Sequence, residues 1–375
     1  MSQEENSLLS TVSRLSGEGA PPDRVENAFY DLIRKKARAK GIPVSGTFEL
    51  TPLCNLDCKM CYVHLAKAKP LDTGTWISLM DQAIEEGLLW ATLTGGECLT
   101  HPGFKEIYSF LANRGIKSVV CTNGLLVDED MIAFFLRRKP YEIQISLYGS
   151  SDDAYEKVTG HRVFHTVFSH MLALRDAGLH VSAAVTPSAD MEDAESIMRL
   201  LHENGFFIRL NRTLSPPRSE TGRTADPIGM DRMIRLEKLK REIAGLPMYP
   251  PVREEDLPPT GGPCTGKQPL ISCGAARSQF LLNWHGQMNP CTDFPGIVTE
   301  PLKTGFHAAW KEMSSGIVSH PGLIECAGCA YARFCDKCVA RHILMGAPAG
   351  HAHPDVCEFA RQAAKAGLVD LGKNP

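Results

Sequence analysis

The chain has 375 residues, a formal net charge of −3 and 43% hydrophobic residues. At the usual ~100–200 residues per domain, that is room for one large domain and a smaller one. No basic tract is interleaved with aromatics and no apolar run approaches the ~18 residues that span a bilayer, so neither nucleic acid nor membrane is an expected partner. The opening Ser2-Gln3-Glu4-Glu5-Asn6-Ser7 lacks the positive-then-apolar order of a secretory signal, so the expected location is cytoplasmic. There thiols stay reduced, and an odd count of thirteen cysteines argues for metal rather than a disulfide framework.

In chain order, residues 1–45 read as a polar helical extension that would cover one end of the following domain. It is too short for an independent folded peptide-binding domain. From residue 46 to 215 short apolar runs at 47–51, 90–94, 118–122, 142–147, 181–186 and 207–210 alternate with amphipathic stretches at 76–86, 104–113, 131–138, 164–177 and 195–203. Strand–helix repetition predicts an α/β fold with a parallel sheet. Six units fit, whereas eight would leave too little chain for the cysteine-rich C-terminal part. A Pro-, Ser-, Arg- and Gly-rich linker and a helix near 230–244 occupy 216–262, and a cysteine-dense domain fills 263–375.

Cys54, Cys58 and Cys61 stand at C-x3-C-x2-C spacing in a loop straight after the first predicted strand. A [4Fe–4S] cube held by protein alone takes four cysteines, so three leave one iron open for an outside ligand. That suits delivery of one electron into a bound molecule. A zinc site or three unrelated buried thiols are the alternatives.

The motif resembles that of the radical SAM superfamily, whose partial (βα)6 barrel matches the six strand–helix units. The resemblance implies that S-adenosylmethionine binds the open iron and is cleaved to a 5′-deoxyadenosyl radical. It places Gly95, Gly96 and Glu97, at the end of the second strand, against the cofactor's amino group. It places Met60 and Tyr62 beside the adenine, with Val185 and Thr186 closing the fifth strand near it. Ser146 would meet the ribose and carboxylate region, Asn123 the ribose, and Arg162 the carboxylate. Apolar packing, turn chemistry or a surface charge are the competing readings for these positions.

The later cysteines run Cys264-x8-Cys273, Cys291, Cys326-x2-Cys329-x5-Cys335-x2-Cys338 and Cys357. This resembles the SPASM domain of radical SAM enzymes, with two residues between Cys335 and Cys338 where that family has three. The resemblance implies two auxiliary [4Fe–4S] clusters: the nearer on Cys264, Cys273, Cys291 and Cys338, the farther on Cys326, Cys329, Cys335 and Cys357. Paired C-x2-C knuckles also suit zinc. The stretch around His285-Gly286 reads as a hairpin that presents Cys291.

For the substrate step, Asp293 is a candidate base two residues beyond Cys291. Thr292 fills the slot where sulfatase-maturating relatives carry aspartate. Cys98, after Glu97 where many relatives have proline, is a candidate hydrogen donor. Cys121 reads as structural, while Asn211, Arg212 and Arg277 are candidates to face the cavity. The resemblance implies a peptide or protein substrate, most naturally a ribosomally made peptide cross-linked through a thioether or carbon–carbon bond. It also implies an electron donor such as flavodoxin or ferredoxin, and leaves room for a peptide-recognition partner. Peptide epimerisation, sulfatase maturation, a tetrapyrrole or sugar substrate, and a non-catalytic iron–sulfur electron carrier remain open.

Overall fold

The computed structural model describes residues 22–63, 69–215, 226–260, 271, 273–320, 322–326, 329–331, 334–335 and 338–371. Helix α1 (Pro22–Lys40) precedes six strand–helix units: β1 (Ser45–Glu49), α2 (Thr73–Glu85), β2 (Trp90–Thr94), α3 (Phe104–Asn113), β3 (Lys117–Thr122), α4 (Glu129–Arg137), β4 (Glu142–Ser146), α5 (Asp152–Thr159), α6 (Phe164–Asp176), β5 (Val181–Val185), α7 (Ala194–Glu203) and β6 (Phe207–Leu210). Strands β1 to β6 pair in sequence order and all run parallel. Local chemistry sets the helix starts: Asp72, Asp128 and Ser151 each accept a backbone N–H in the first turn of α2, α4 and α5. The first strand begins and ends two residues earlier than its sequence pattern predicts. Thr51 Oγ1 accepts the Leu53 amide at 3.1 Å, which turns the chain out of the sheet.

The N-terminal end of the barrel is closed twice. Helix α1 packs Tyr30 and Ala37 on Val44 and Trp90, with the Arg34 guanidinium 4.9 Å above the Trp90 ring. Inside the lumen, Arg209 Nη2 donates to both carboxylate oxygens of Glu142 at 2.6 and 2.7 Å, and Ser182 also donates to Glu142. Chemistry is thereby directed to the C-terminal strand ends, the usual site of barrel enzymes.

Helix α8 (Met230–Ile243) follows the linker, and then β7 (Gln279–Leu282) and β8 (Met288–Asn289) form the expected antiparallel hairpin. The sequence pattern does not foresee that β7 also joins the barrel sheet, parallel to β1, with Ser45 opposite Gln279 and Phe48 opposite Leu282. The sheet order is β6-β5-β4-β3-β2-β1-β7-β8. Gly46 makes this possible, because a Cβ there would lie 2.5 Å from Phe280 Cζ. Phe280 in turn packs edge-on to Phe306, at 5.0 Å between centroids, in α10 (Phe306–Val318), which follows the short α9 (Pro301–Thr304). Trp310 Nε1 donates to Gly41 O at 2.8 Å. Helices α11 (Val339–Leu344) and α12 (Pro354–Lys365) follow, α12 packing Ala360, Ala363 and Ala364 against Ile234 of α8. No helix among the described residues is long and apolar enough to cross a membrane.

Gly46→Ala should force Phe280 out of its place. Overpacking of this kind costs about 1–3 kcal/mol, read as a lower denaturant midpoint at unchanged m-value; an unchanged midpoint would show that β7 is not held by this contact.

Candidate cluster and cofactor site

The cysteine loop between β1 and α2 is fixed from two sides. Toward β2, Gly96 N donates to Thr51 O at 2.6 Å and Glu97 N to Leu53 O at 2.8 Å. A Cβ on Gly95 or Gly96 would lie 2.4 Å from Thr51 O or Leu53 O, and Gly95 has φ +148°, so glycine is required at this close approach. Toward α5, Asp57 N and Lys59 N donate to Thr159 O and Val158 O at 3.0 Å. Cys54, Cys58 and Cys61 then share one wall of a cavity of about 770 Å³. Burial, followed by the Glu97 and Cys61 charges, pushes the Cys54 thiol up to about 11. Burial and the neighbouring thiolates push Cys58 higher still. Such a trio is stable as thiolates only with cationic charge among them. Among the described residues no three His, Cys, Asp or Glu side chains converge on one metal-ion position; a cuboidal cluster, with one thiolate at each of separate iron corners, makes no such demand.

Met60, Tyr62, Gly95, Gly96, Asn123, Ser146 and Asp293 all line the cavity. The Asn123 amide donates to Asn55 Oδ1 at 2.7 Å, so it also braces the cysteine loop. Asp293 Oδ1 is buried with no hydrogen-bond partner among the described residues.

Four expectations are corrected. The Glu97 carboxylate turns away from the cavity into the protein, accepting from Asn123 N at 2.6 Å, Thr122 Oγ1 at 2.8 Å and Leu99 N at 3.0 Å. Val185 is fully buried on the far face of β5, because its neighbours Ala184 and Thr186 take the lumen side of the strand's two-residue alternation. Arg162 stands outside the barrel, paired with Asp153 and Glu156 on α5. Cys98 is fully buried with Sγ 3.2 Å from Cys121 O, whereas Cys121 itself lines the cavity. Of the other candidates, Asn211 and Arg212 reach the cavity; Arg277 is not among its lining residues. Tyr148, Thr213, Leu214, Ser215, Lys240 and Arg341 line it without having been singled out by sequence.

Of the later cysteines, Cys264 lies outside the described residues. Cys291, pushed up to about 12 by burial, feels the charges of Asp293 and Cys338. Cys357, raised by burial, feels Cys329. Cys273 is exposed, and Cys326 and Cys335 are half-buried.

Residues 48–205 match the family model described as the Radical SAM superfamily. The sporulation killing factor maturation protein SkfB of Bacillus subtilis is 28% identical over 201 residues, 52% of this chain and 49% of that protein. The antilisterial bacteriocin subtilosin biosynthesis protein AlbA of the same organism is 23% identical over 358 residues, 88% of this chain and 74% of that protein. The chain thus spans about half the length of the first relative. The crystal structure of Streptococcus suis SuiB bound to S-adenosylmethionine superposes with TM-score 0.65 at 15% identity, covering 95% of this chain and 88% of that one; at that identity it establishes the fold. The fold is a radical SAM barrel followed by a cysteine-rich domain of SPASM type. Residues 48–205 of this chain are thus similar to the radical SAM superfamily, and that family's cofactors are S-adenosylmethionine and a [4Fe–4S] cluster. The three grouped thiols and the glycine strip laid against them fit both.

Burial raises the Glu97 carboxyl above its ordinary 4.5, against the pull of the Asn123, Thr122 and Leu99 donors. The folded protein therefore keeps this proton to higher pH than the unfolded chain does, and the contribution of Glu97 to stability falls as pH rises from about 4.5 through the folded value. The unfolding free energy of the wild type relative to Glu97→Gln should decline over that range; a flat or rising difference would show that the three donors outweigh burial.

Proposed function

We propose that this protein reductively cleaves S-adenosylmethionine and uses the resulting radical to modify a ribosomally made peptide at an unactivated C–H bond, closing a thioether or carbon–carbon cross-link. The observation that carries the reading is the meeting of Cys54, Cys58 and Cys61 with Gly95, Gly96 and Ser146 around one cavity at the C-terminal strand ends. When bound, the reduced cluster and S-adenosylmethionine supply a 5′-deoxyadenosyl radical that takes a hydrogen atom from the substrate. The three cysteines hold the cluster. The Gly95–Gly96 backbone, free of side chains, lets the cofactor approach, while Ser146, Thr186 and Asn211 offer it polar contacts. Asp293, one oxygen of which is buried with no hydrogen-bond partner among the described residues, would accept a proton as the cross-link closes. Cys264, Cys273, Cys291 and Cys338, and Cys326, Cys329, Cys335 and Cys357, would hold two auxiliary clusters, which would supply an acceptor for the electron that cross-link closure releases.

The relatives named as maturation and biosynthesis proteins of a killing factor and a bacteriocin support a peptide substrate. A flavodoxin or ferredoxin as electron donor, a separate peptide-recognition partner and a cytoplasmic location complete the reading. A second reading, peptide epimerisation, is favoured by one observation: Cys121 presents a thiol to the cavity that burial holds in its protonated form, up to about 12. Cys121→Ala separates the two, abolishing product in an epimerase and sparing a cross-linking enzyme.

Anaerobic reconstitution should load about twelve irons per chain, four for each cluster. Cys58→Ala should lose about four of them and all 5′-deoxyadenosine formation; Cys329→Ala should lose about four yet still cleave S-adenosylmethionine. Tightly bound zinc with no cleavage would overturn the proposal.

A further inference from the structure

The Asn123 side chain is held at both of its polar atoms. Its Oδ1 accepts the Leu125 amide at 3.0 Å, which fixes the end of the side chain that is the carbonyl. The NH2 group then turns toward the cysteine loop, where its two protons meet two acceptors: Asn55 Oδ1 at 2.7 Å and Cys54 Sγ at 3.7 Å. The main chain of the same residue is anchored as well, its N–H donating to Glu97 Oε2 at 2.6 Å. Asn123 is only 7% exposed, so little water competes for these bonds.

The contact with Cys54 is the one that bears on chemistry. Leu56 N donates to the same sulfur at 3.4 Å, so two N–H groups point partial positive charge at it. A cysteine that ligates metal is a thiolate, and Asn55 Oδ1 stands 3.9 Å from this one. The Asn123 NH2 donates to both atoms and so offsets the repulsion between that oxygen and the thiolate. An electron added to an iron–sulfur cluster increases the negative charge on its sulfurs. An N–H donor therefore stabilises the reduced state more than the oxidised one, and the potential rises.

We propose that Asn123 is a positioning residue that raises the reduction potential of the cluster on Cys54, Cys58 and Cys61, through the hydrogen bond from its side chain to the Cys54 sulfur. The inference rests on the reading of these three cysteines as the ligands of a [4Fe–4S] cluster. Both NH2 protons are engaged by the loop, so the donors of this side chain serve the cluster rather than the ribose that the sequence resemblance suggests. Replacing the side chain leaves the loop clasped by Gly96 N to Thr51 O and by Glu97 N to Leu53 O, and leaves the Asn123 main-chain N–H on Glu97. Iron loading should survive the change.

The test is an EPR-monitored redox titration of anaerobically reconstituted full-length protein. It follows the signal that changes when S-adenosylmethionine is added, which marks the cluster with an open iron. In Asn123→Ala the ratio of reduced to oxidised cluster at a fixed poise should fall about tenfold, a midpoint lower by about 59 mV for a one-electron couple. Asn55→Ala removes the brace and the repelling oxygen but keeps the donor, so its midpoint should not fall. An unchanged midpoint in iron-loaded Asn123→Ala overturns the proposal. Equal falls in both variants also overturn it, since Asn123 then only braces the loop. Should Asn123→Ala load no iron, pulsed EPR of the reduced wild type carrying asparagine labelled with 15N in the side-chain amide decides instead. A 15N coupling to the cluster that persists in Asn55→Ala supports the donor, and no coupling overturns it. Metal counting keeps the two readings apart: zinc in place of iron removes the cluster together with the inference, whereas full iron with an unmoved midpoint removes the inference alone.

Discussion

Two backbone hydrogen bonds, Gly96 N to Thr51 O and Glu97 N to Leu53 O, clasp the end of β2 to the cysteine loop. They form only because neither glycine carries a Cβ, which would overlap the loop carbonyls. Through them a segment with no regular structure of its own takes its position from the sheet. The clasp continues inward. The Glu97 carboxylate gathers the Thr122 hydroxyl and the Asn123 amide from the end of β3, and the Asn123 side chain returns to Asn55 beside Cys54. Three strand ends and the thiol-bearing loop are thus one hydrogen-bonded unit. Preorganisation of this kind lets three mutually repelling thiols face one space before any metal arrives.

Much of this was legible in the sequence because the chemistry tolerates few substitutes. Cysteine spacing, paired glycines and a strand–helix alternation are each local, and each has a mechanical reason. The alternation located all six barrel strands within a few residues. Helix α5 escaped it because Asp152–Thr159 buries only Tyr155, Val158 and Thr159, too few for a helical period to show, although Ser151 and the left-handed Gly160 mark its two ends. Strand β5 hid its orientation differently. All five of its residues are buried, so hydrophobicity carries no alternation and cannot say whether Val185 or its neighbours face the lumen.

The remaining misplacements concern long-range geometry. Arg162, two residues after Gly160, looks free in the sequence, yet Asp153 and Glu156 sit on the outer face of α5 and hold it there. Cys98 is adjacent to the cofactor motif in sequence but enters a short 3-10 turn that carries it into the core. Cys121, assigned to a strand interior, lies on the lumen side of that strand. Lys240 and Arg341 reach the cavity from segments whose sequences carry no motif, and only the packing of α8 and α11 around the barrel reveals them.

The least foreseeable feature is also the one that ties the two cysteine fields together. Because β7 is in register with β1, one continuous sheet leads into the Cys54 loop on one strand and, through the β7–β8 hairpin, into Cys291 and Asp293. A hinged arrangement of barrel and C-terminal domain would let the spacing between these loops vary. Here it is set by ladder hydrogen bonds and by the Phe280, Phe306 and Trp310 packing behind them. Slipping the register by one residue would turn every β7 side chain to the opposite face of the sheet and take Phe280 away from Phe306 and Trp310. The cavity between the two fields therefore has fixed walls on the β1–β7 side.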